Sequence, residues 1–309
     1  MSVSIPYRRE MSFEYGKLER LSSRIRRIIA HNPSAFTFHG TGTYVLGEGS
    51  VAVIDPGPDD PRHIEALLDG LDGERVSHIL ITHCHHDHSP GARMLQAETG
   101  APSYAFGPHG AGRLGDQGES EEGADWDFIP DHRVVDGQII EGEGWSVECV
   151  FTPGHTSNHM AFALREEKTL FSGDHVMGWS TSVISPPDGD MAAYMASLEK
   201  LLDRDDVRYW PTHGPSIEDP KTHVRAFIAH RQARAQQILD ALASGLTQVS
   251  AMVPKMYADV SPNLYPAATR SVLAAVAYLE DQGKLTVAGA LNADAVLALR
   301  QNAMRPTRG

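Results

Sequence analysis

Residues 82–91 read Thr-His-Cys-His-His-Asp-His-Ser-Pro-Gly and follow directly on the apolar run Val76–Ile81. Within them His83, His85, Asp87 and His88 form an H-x-H-x-D-H pattern. Side chains of this kind are costly to crowd together unless a cation holds them. Neutral imidazole and carboxylate are the nitrogen and oxygen ligands preferred by zinc and related borderline metals. The dense spacing, on a loop that leaves a buried strand, lets neighbouring ligands diverge toward two ions a short distance apart. The fold must therefore bring further ligands to this loop.

Three downstream segments offer them. Thr152-Pro153-Gly154-His155-Thr156 ends the strand-like run Trp145–Phe151 in a tight turn. Leu170-Phe171-Ser172-Gly173-Asp174 is an apolar run that breaks at glycine and presents a carboxylate, and Tyr209-Trp210-Pro211-Thr212-His213-Gly214-Pro215 repeats the device with an imidazole. Each is a short strand, a Gly or Pro break and one ligand-type side chain. A sheet scaffold converges distant residues on one rim in this way.

The ordered set H-x-H-x-D-H, P-G-H-T, S-G-D and T-H-G-P resembles the metallo-β-lactamase-fold hydrolases. The resemblance implies one metal held by His83, His85 and His155, a second held by Asp87, His88 and His213, and Asp174 bridging both. It also implies that Asp55, in Ile54-Asp55-Pro56-Gly57, is a carboxylate behind the ligands that orients their loop. The chain departs from the pattern at Ser89-Pro90-Gly91, where many members have two glycines; this touches only the local turn. Asn32-Pro33, Gly40-Thr41-Gly42-Thr43-Tyr44, His230-Arg231-Gln232 and Gln236-Gln237-Ile238-Leu239 resemble the branch with lactamase-beta-2-like endoribonucleases and polyketide-pathway thioesterases. Branch members often carry Asn where this chain has Gly42. The implied cofactor is a pair of zinc ions, with manganese or iron as substitutes.

Two metals sharing an oxygen define the expected chemistry. Zinc lowers the pKa of bound water to about 7, so a bridging hydroxide is available at neutral pH to attack a carbonyl carbon or phosphorus. Asp87 is the expected catalytic residue, orienting the hydroxide and taking its proton. His159 and His175 are candidate proton donors for the leaving group, with a purely structural role as the alternative. Tyr44 and Trp179 are candidate pocket walls. His31, His109, His132 and His223 join no constellation.

The expected fold class is α+β, a four-layer αββα sandwich followed by a small winged-helix-like helical domain, divided as residues 1–220 and 221–309. Strand patterns flank Gly47-Glu48-Gly49 between Ala35 and Ile54, and recur at 76–81, 104–106, 139–140, 146–151, 159–164 and 169–171. Helical patterns cover Pro61–Leu71, with Asp59 or Asp60 as cap, then 92–99 and 191–202. Leu18, Leu21, Ile25, Ile28 and Ile29 have roughly helical spacing too. Beyond Pro220 the expected elements are helices over 221–244, 247–258, 264–282 and 293–300, with a wing at 283–287. The third of these carries Arg270 as its only base, which counts against reading DNA. The tail is better suited to shaping the rim of the site or to self-association as a homodimer.

The formal charge is −13, from 40 acidic and 27 basic residues, which counts against broad nucleic-acid binding without excluding RNA. Asp116–Asp127 holds six of the acids and no base, and reads as a solvated inserted loop. No run approaches the ~18 apolar residues of a membrane span, and the N-terminus has no apolar signal core; a cytoplasmic enzyme is expected. Cys84 and Cys149 are too few for a disulfide framework, and Cys84 is expected to pack as a small apolar group rather than bind metal. Asp55–Asp60, His83–Gly91, His155–His159, Asp174–Ile184 and His213–Asp219, the segments that would ring the metals, contain no Lys or Arg. The leading expectation is hydrolysis of a small thioester, ester or lactone. A single-strand endoribonuclease is the alternative, followed by β-lactam hydrolysis and a non-catalytic metal-binding module.

Overall fold

The computed structural model of the chain describes residues 4–113 and 123–300, so most of the acidic stretch Asp116–Asp127 lies outside the described residues. The first sheet comprises β1 (Glu19–Arg20), β2 (Ile25–Ile29), β3 (Gly42–Leu46), β4 (Ser50–Ile54), β5 (Arg75–Leu80), β6 (Ser103–Ala105) and β7 (His132–Arg133), in that spatial order. It is antiparallel from β1 to β4 and parallel from β4 to β7. The second sheet comprises β8 (Ile139–Gly142), β9 (Trp145–Phe151), β10 (Met160–Leu164), β11 (Thr169–Gly173) and β12 (Arg208–Pro211), ordered β12-β11-β10-β9-β8.

Strands β3, β4, β10 and β11 are buried along their whole length, which explains their continuous rather than alternating apolar runs. One face of each sheet meets the other sheet: Tyr44, Leu46, Ile54 and Leu80 pack on Trp145, Val147, Met160, Phe162 and Phe171. On the outer face of the first sheet, Val51, Val53 and Ile79 pack against Ile64 and Leu67 of α1 (Pro61–Leu71) and Leu95 of α2 (Gly91–Thr99). On the outer face of the second, Ala161, Leu170 and Tyr209 pack against α3 (Met191–Leu202) and α4 (Pro220–Ala243). The result is a four-layer αββα sandwich. Asp60 caps α1, its carboxylate accepting from Arg62 N, and Pro61 supplies the first helical residue.

The C-terminal part comprises α5 (Val249–Met256), α6 (Tyr265–Asp281) and a two-stranded wing, β13 (Leu285–Ala288) with β14 (Val296–Leu299). Helix α4 belongs to two cores at once. Val224 and Phe227 are buried with α3 against the sandwich, whereas Ile238 and Leu242 are buried with Val253, Val272 and Leu279 of the tail. Phe227→Ala should cost about 3–5 kcal/mol of stability, the usual loss for a buried aromatic. A denaturant titration that moves by less than half of that would show the junction to be looser than this packing implies.

Two expectations are corrected. The helical spacing of residues 18–29 belongs to β1 and β2: Ile25 faces the opposite sheet and Ile28 faces the outer helices. A strand covered on both faces carries apolar residues at both parities, which imitates a helical pattern. The helix expected over 293–300 is the second strand of the wing, paired from Leu285↔Leu299 to Ala288↔Val296. Pairing with β13 overrides the helix preference of this Ala- and Leu-rich run. Among the described residues, no helix is long and apolar enough to cross a membrane.

Candidate metal centre

Strand β4 ends at Ile54, and the next residue, Asp55, takes a left-handed backbone conformation with φ 47°. This turns its carboxylate back under the loop that leaves β5. The carboxylate accepts from Thr82 N at 2.8 Å and Thr82 Oγ1 at 2.7 Å, from Thr212 Oγ1 at 3.1 Å, and from His88 Nδ1 at 3.0 Å. One buried anion thus ties the His-rich loop to the end of β12. It also fixes His88 with Nδ1 protonated and Nε2 turned to the cluster. The same device recurs at two other imidazoles: His155 Nδ1 donates to Val183 O at 2.6 Å and His213 Nδ1 to Gly40 O at 3.2 Å. A carbonyl can only accept, so both rings carry a proton on Nδ1 and turn Nε2 to the cluster.

The structure brings His83, His85, Asp87, His88, His155, Asp174 and His213 together. Their ligand atoms form three overlapping groups, His83/His85/His155, His83/His88/Asp174 and Asp87/His88/His213, each within 4.8 Å. Asp174 stands between the outer two: Oδ2 lies 3.8 Å from His155 Nε2, while Oδ1 lies 3.4 Å from His213 Nε2 and 3.7 Å from His88 Nε2. Gly173 makes this reach feasible, because a Cβ there, at φ 52°, would sit 2.5 Å from His159 Nε2.

These side chains suit divalent ions. Ligands about 2.1 Å from a tetrahedral ion stand about 3.4 Å apart, and several separations within the cluster, such as 3.1 Å from His213 Nε2 to Asp87 Oδ2 and 3.4 Å to Asp174 Oδ1, lie near that value. His88 Nε2, His155 Nε2 and Asp174 Oδ1 are buried without a hydrogen-bond partner, a costly state for polar atoms that a cation would relieve. Burial, with the neighbouring imidazoles added, holds His83 and His85 well below the usual histidine range, in the neutral form a metal ligand needs. Burial would lower His213 too, but Asp174 and Asp87 outweigh it and raise this ring to about 10. The carboxylates call for positive charge at this end of the cluster, and a metal ion supplies it.

A cavity of about 430 Å³ opens over the cluster. Its floor is formed by His85, Asp87, His155, Asp174 and His213, and Phe36, Met177 and Val183 make its wall largely apolar. Helix α6 adds Arg270, so the C-terminal part contributes to the site and supplies a base that the ringing segments lack. Neither Phe36 nor Arg270 stands out in a search for ligand motifs. The only signal for Arg270 is its isolation as the single base of its helix. His86, between two ligand positions, is exposed and also lines the cavity.

Four candidate residues are not on this wall. Tyr44 is in the inter-sheet core, its hydroxyl donating to Pro211 O at 2.7 Å. Trp179 stacks on Phe38 with ring centres 4.7 Å apart. His159 is buried behind His83 with Nδ1 2.8 Å from Thr152 Oγ1, and His175 is buried against Tyr194. Burial pushes both rings down, His175 to about 3. Each follows a turn that sends the chain back into the core, so adjacency to a ligand in sequence does not bring it to the cavity. Cys84 points away from the cluster into the outer core, where Asn158 Nδ2 donates to its sulfur at 3.0 Å.

Asp55 carries a test of how the ligands are held. Asp55→Asn replaces one accepting oxygen by a donor that faces Thr82, Thr212 and His88. Divalent-metal affinity should fall about 10–100-fold, the usual effect of losing a partner behind a metal ligand. Competition with a chromophoric chelator measures this, and an unchanged affinity would remove Asp55 from that role.

Residues 37–213 match the metallo-beta-lactamase superfamily, and residues 249–291 match the beta-lactamase associated winged helix domain. The chain is 38% identical to a beta-lactamase-like protein 2 homolog of Drosophila melanogaster, over 87% of this chain and 91% of that one. It is 32% identical to an atrochrysone carboxyl ACP thioesterase of Claviceps purpurea, over 74% and 68%. A beta-lactamase domain protein of Burkholderia ambifaria shares the fold, with a TM-score of 0.78 at 20% identity and coverage of 96% and 97%.

Proposed function

The chain belongs to the metallo-β-lactamase superfamily of metal-dependent hydrolases, and from that premise we propose that it is a zinc-dependent hydrolase of a small acyl substrate, a thioester first, then an ester or lactone. The observation that carries this reading is the cavity, which has a ligand-lined floor and an apolar wall at Phe36, Met177 and Val183. When bound, the metal pair would supply Lewis acidity and lower the pKa of a water to about 7. In this proposal His83, His85 and His155 hold one ion and Asp87, His88 and His213 the other, with Asp174 between them. Asp87 accepts the proton of the attacking water. Its side chain is 26% exposed against 11% for Asp174, so of the two carboxylates on the cavity floor it is the more open. The apolar wall holds the acyl chain and keeps bulk water from the reacting carbon. A thiolate leaves readily because the thiol pKa is about 8.5; the reaction then needs no acid from His159 or His175, which lie off the wall. The thioesterase name of the Claviceps purpurea relative points the same way.

RNA cleavage is the weaker alternative. Single-stranded nucleic acid is gathered by several bases along a groove, and Arg270 is the one Lys or Arg among the described lining residues. The test is direct comparison of a simple acyl thioester with labelled single-stranded RNA. Thioester cleavage should be readily measurable, and RNA cleavage weak and fading as salt rises to physiological levels. Robust RNA cleavage at physiological salt, with no turnover of any acyl substrate tried, would reverse the assignment.

A further inference from the structure

A second cavity, of about 290 Å³, lies in the seam where α4 meets α3, α5 and α6, and it shares no lining residue with the cavity over the ligand cluster. Its wall includes Arg231, Arg234 and Lys284 and no Asp or Glu. Among the described residues, no carboxylate pairs with any of these three bases. Met195, Ile238, Val272 and Leu279 provide apolar surface beside them.

Arg231 is the unusual member. Its residue is only 7% exposed, on a helix between two cores, although arginine is almost never buried without a partner. Nη2 donates to Ser182 O, and the guanidinium carbon stands 5.0 Å from the centre of the Tyr194 ring. The Nε–H is buried and has no hydrogen-bond partner. Arg234 lies 4.4 Å from the Tyr257 ring and donates to Met256 O and Gln237 Oε1, so carbonyls and rings, not anions, surround both charges. Burial, with the charges of Arg231 and Arg234 added, holds the neighbouring His230 down at about 4. The seam is therefore concave, positively charged and partly apolar, with a buried donor left over.

The geometry points to a binding site in this seam for a small amphipathic organic anion, a carboxylate on an apolar chain. Arg231, Arg234 and Lys284 supply the positive charge that draws the carboxylate, and the chain lies against Met195, Ile238 and Val272. A cavity of this size is at the lower end of ligand pockets, which suits a body of about ten non-hydrogen atoms. The site goes beyond the hydrolytic reading and does not depend on it.

Octanoate is a suitable probe, and 1-octanol is its uncharged control. Titration calorimetry on the metal-loaded full chain should show octanoate binding at least about tenfold more tightly than 1-octanol, since a charge-assisted pair is lost with the alcohol. Arg231→Met removes the donor, but it also frees Ser182 O and so can upset folding. Ala235→Leu, which fills the cavity, and Lys284→Glu, at an exposed position on its wall, avoid that difficulty. Each should weaken octanoate about tenfold while the unfolding midpoint and simple thioester turnover stay at the wild-type level. No heat with millimolar octanoate, equal binding of 1-octanol, or unchanged affinity in both Ala235→Leu and Lys284→Glu would overturn the proposal. So would octanoate binding that is abolished by removing the metal yet unaffected by Ala235→Leu, because the carboxylate would then sit on the metal cluster.

Discussion

Asp87→Asn should lower hydrolysis about 10²–10⁴-fold, the range typical of a lost general acid–base group, while the protein should stay folded and retain bound metal. The substitution preserves volume and leaves an oxygen able to coordinate. What it removes is the negative charge beside His213, 3.1 Å away, and the capacity to accept a proton. Asp174 cannot take over, because it stands between His155, His88 and His213 on the less exposed side of the cluster. The comparison requires turnover and elemental analysis on the same preparation. Near-normal turnover in Asp87→Asn with full metal content would falsify the role given to this carboxylate.

Metal removal is the second large effect. Seven side chains in three overlapping groups are too many for one tetrahedral ion, so the purified chain should carry about two divalent ions. Exhaustive chelation should abolish hydrolysis and lower the unfolding midpoint by about 5–10 °C. That figure follows if the two ions are present at about a hundred times their dissociation constants, worth about 2.7 kcal/mol for each, in a chain of this size. His85→Ala should lose metal and stability together. Less than one ion per chain, with no gain of activity on adding zinc or manganese, would sink the two-metal reading. An unchanged midpoint in His85→Ala would remove that imidazole from the ligands.

The convergence of the seven ligand-type side chains is legible in the sequence because each follows a short apolar strand broken by Gly, Pro or Thr. The end of a strand is where a sheet presents a side chain with least ambiguity. Asp55 is legible only through resemblance, since its role depends on a left-handed turn and on four donors from two segments. The cavity wall is less legible still. Phe36 is 50% exposed on a loop and looks like ordinary surface, and Arg270 reaches the site only because the tail docks where it does. His159 and His175 mislead for the opposite reason. Their nearness to His155 and Asp174 in sequence is real, but the chain turns inward after each ligand and buries them. Residues 18–29 and 293–300 show the limit of periodicity when both faces of a strand are covered or when a distant partner strand decides the conformation.

Helix α4 has a consequence for how such a chain can be recombined. Its first turns are claimed by the sandwich at Val224 and Phe227, its last by the tail at Ile238 and Leu242. A cut at either end would strip one unit of side chains that complete its interior, leaving an oily scar. Only the stretch 229–234 contributes no apolar residue to either interior. Shuffling of tails between relatives therefore has one splice point that spares both apolar interiors, inside a continuous helix, where Arg231 must be kept for Ser182 and Arg234 for Met256, and phase so that the incoming half still turns its greasy stripe inward. An insertion of one or two residues there would rotate the tail by 100–200° about the helix axis, at about 3.6 residues per turn, and would carry Arg270 off the rim of the hydrolytic cavity without altering a single ligand.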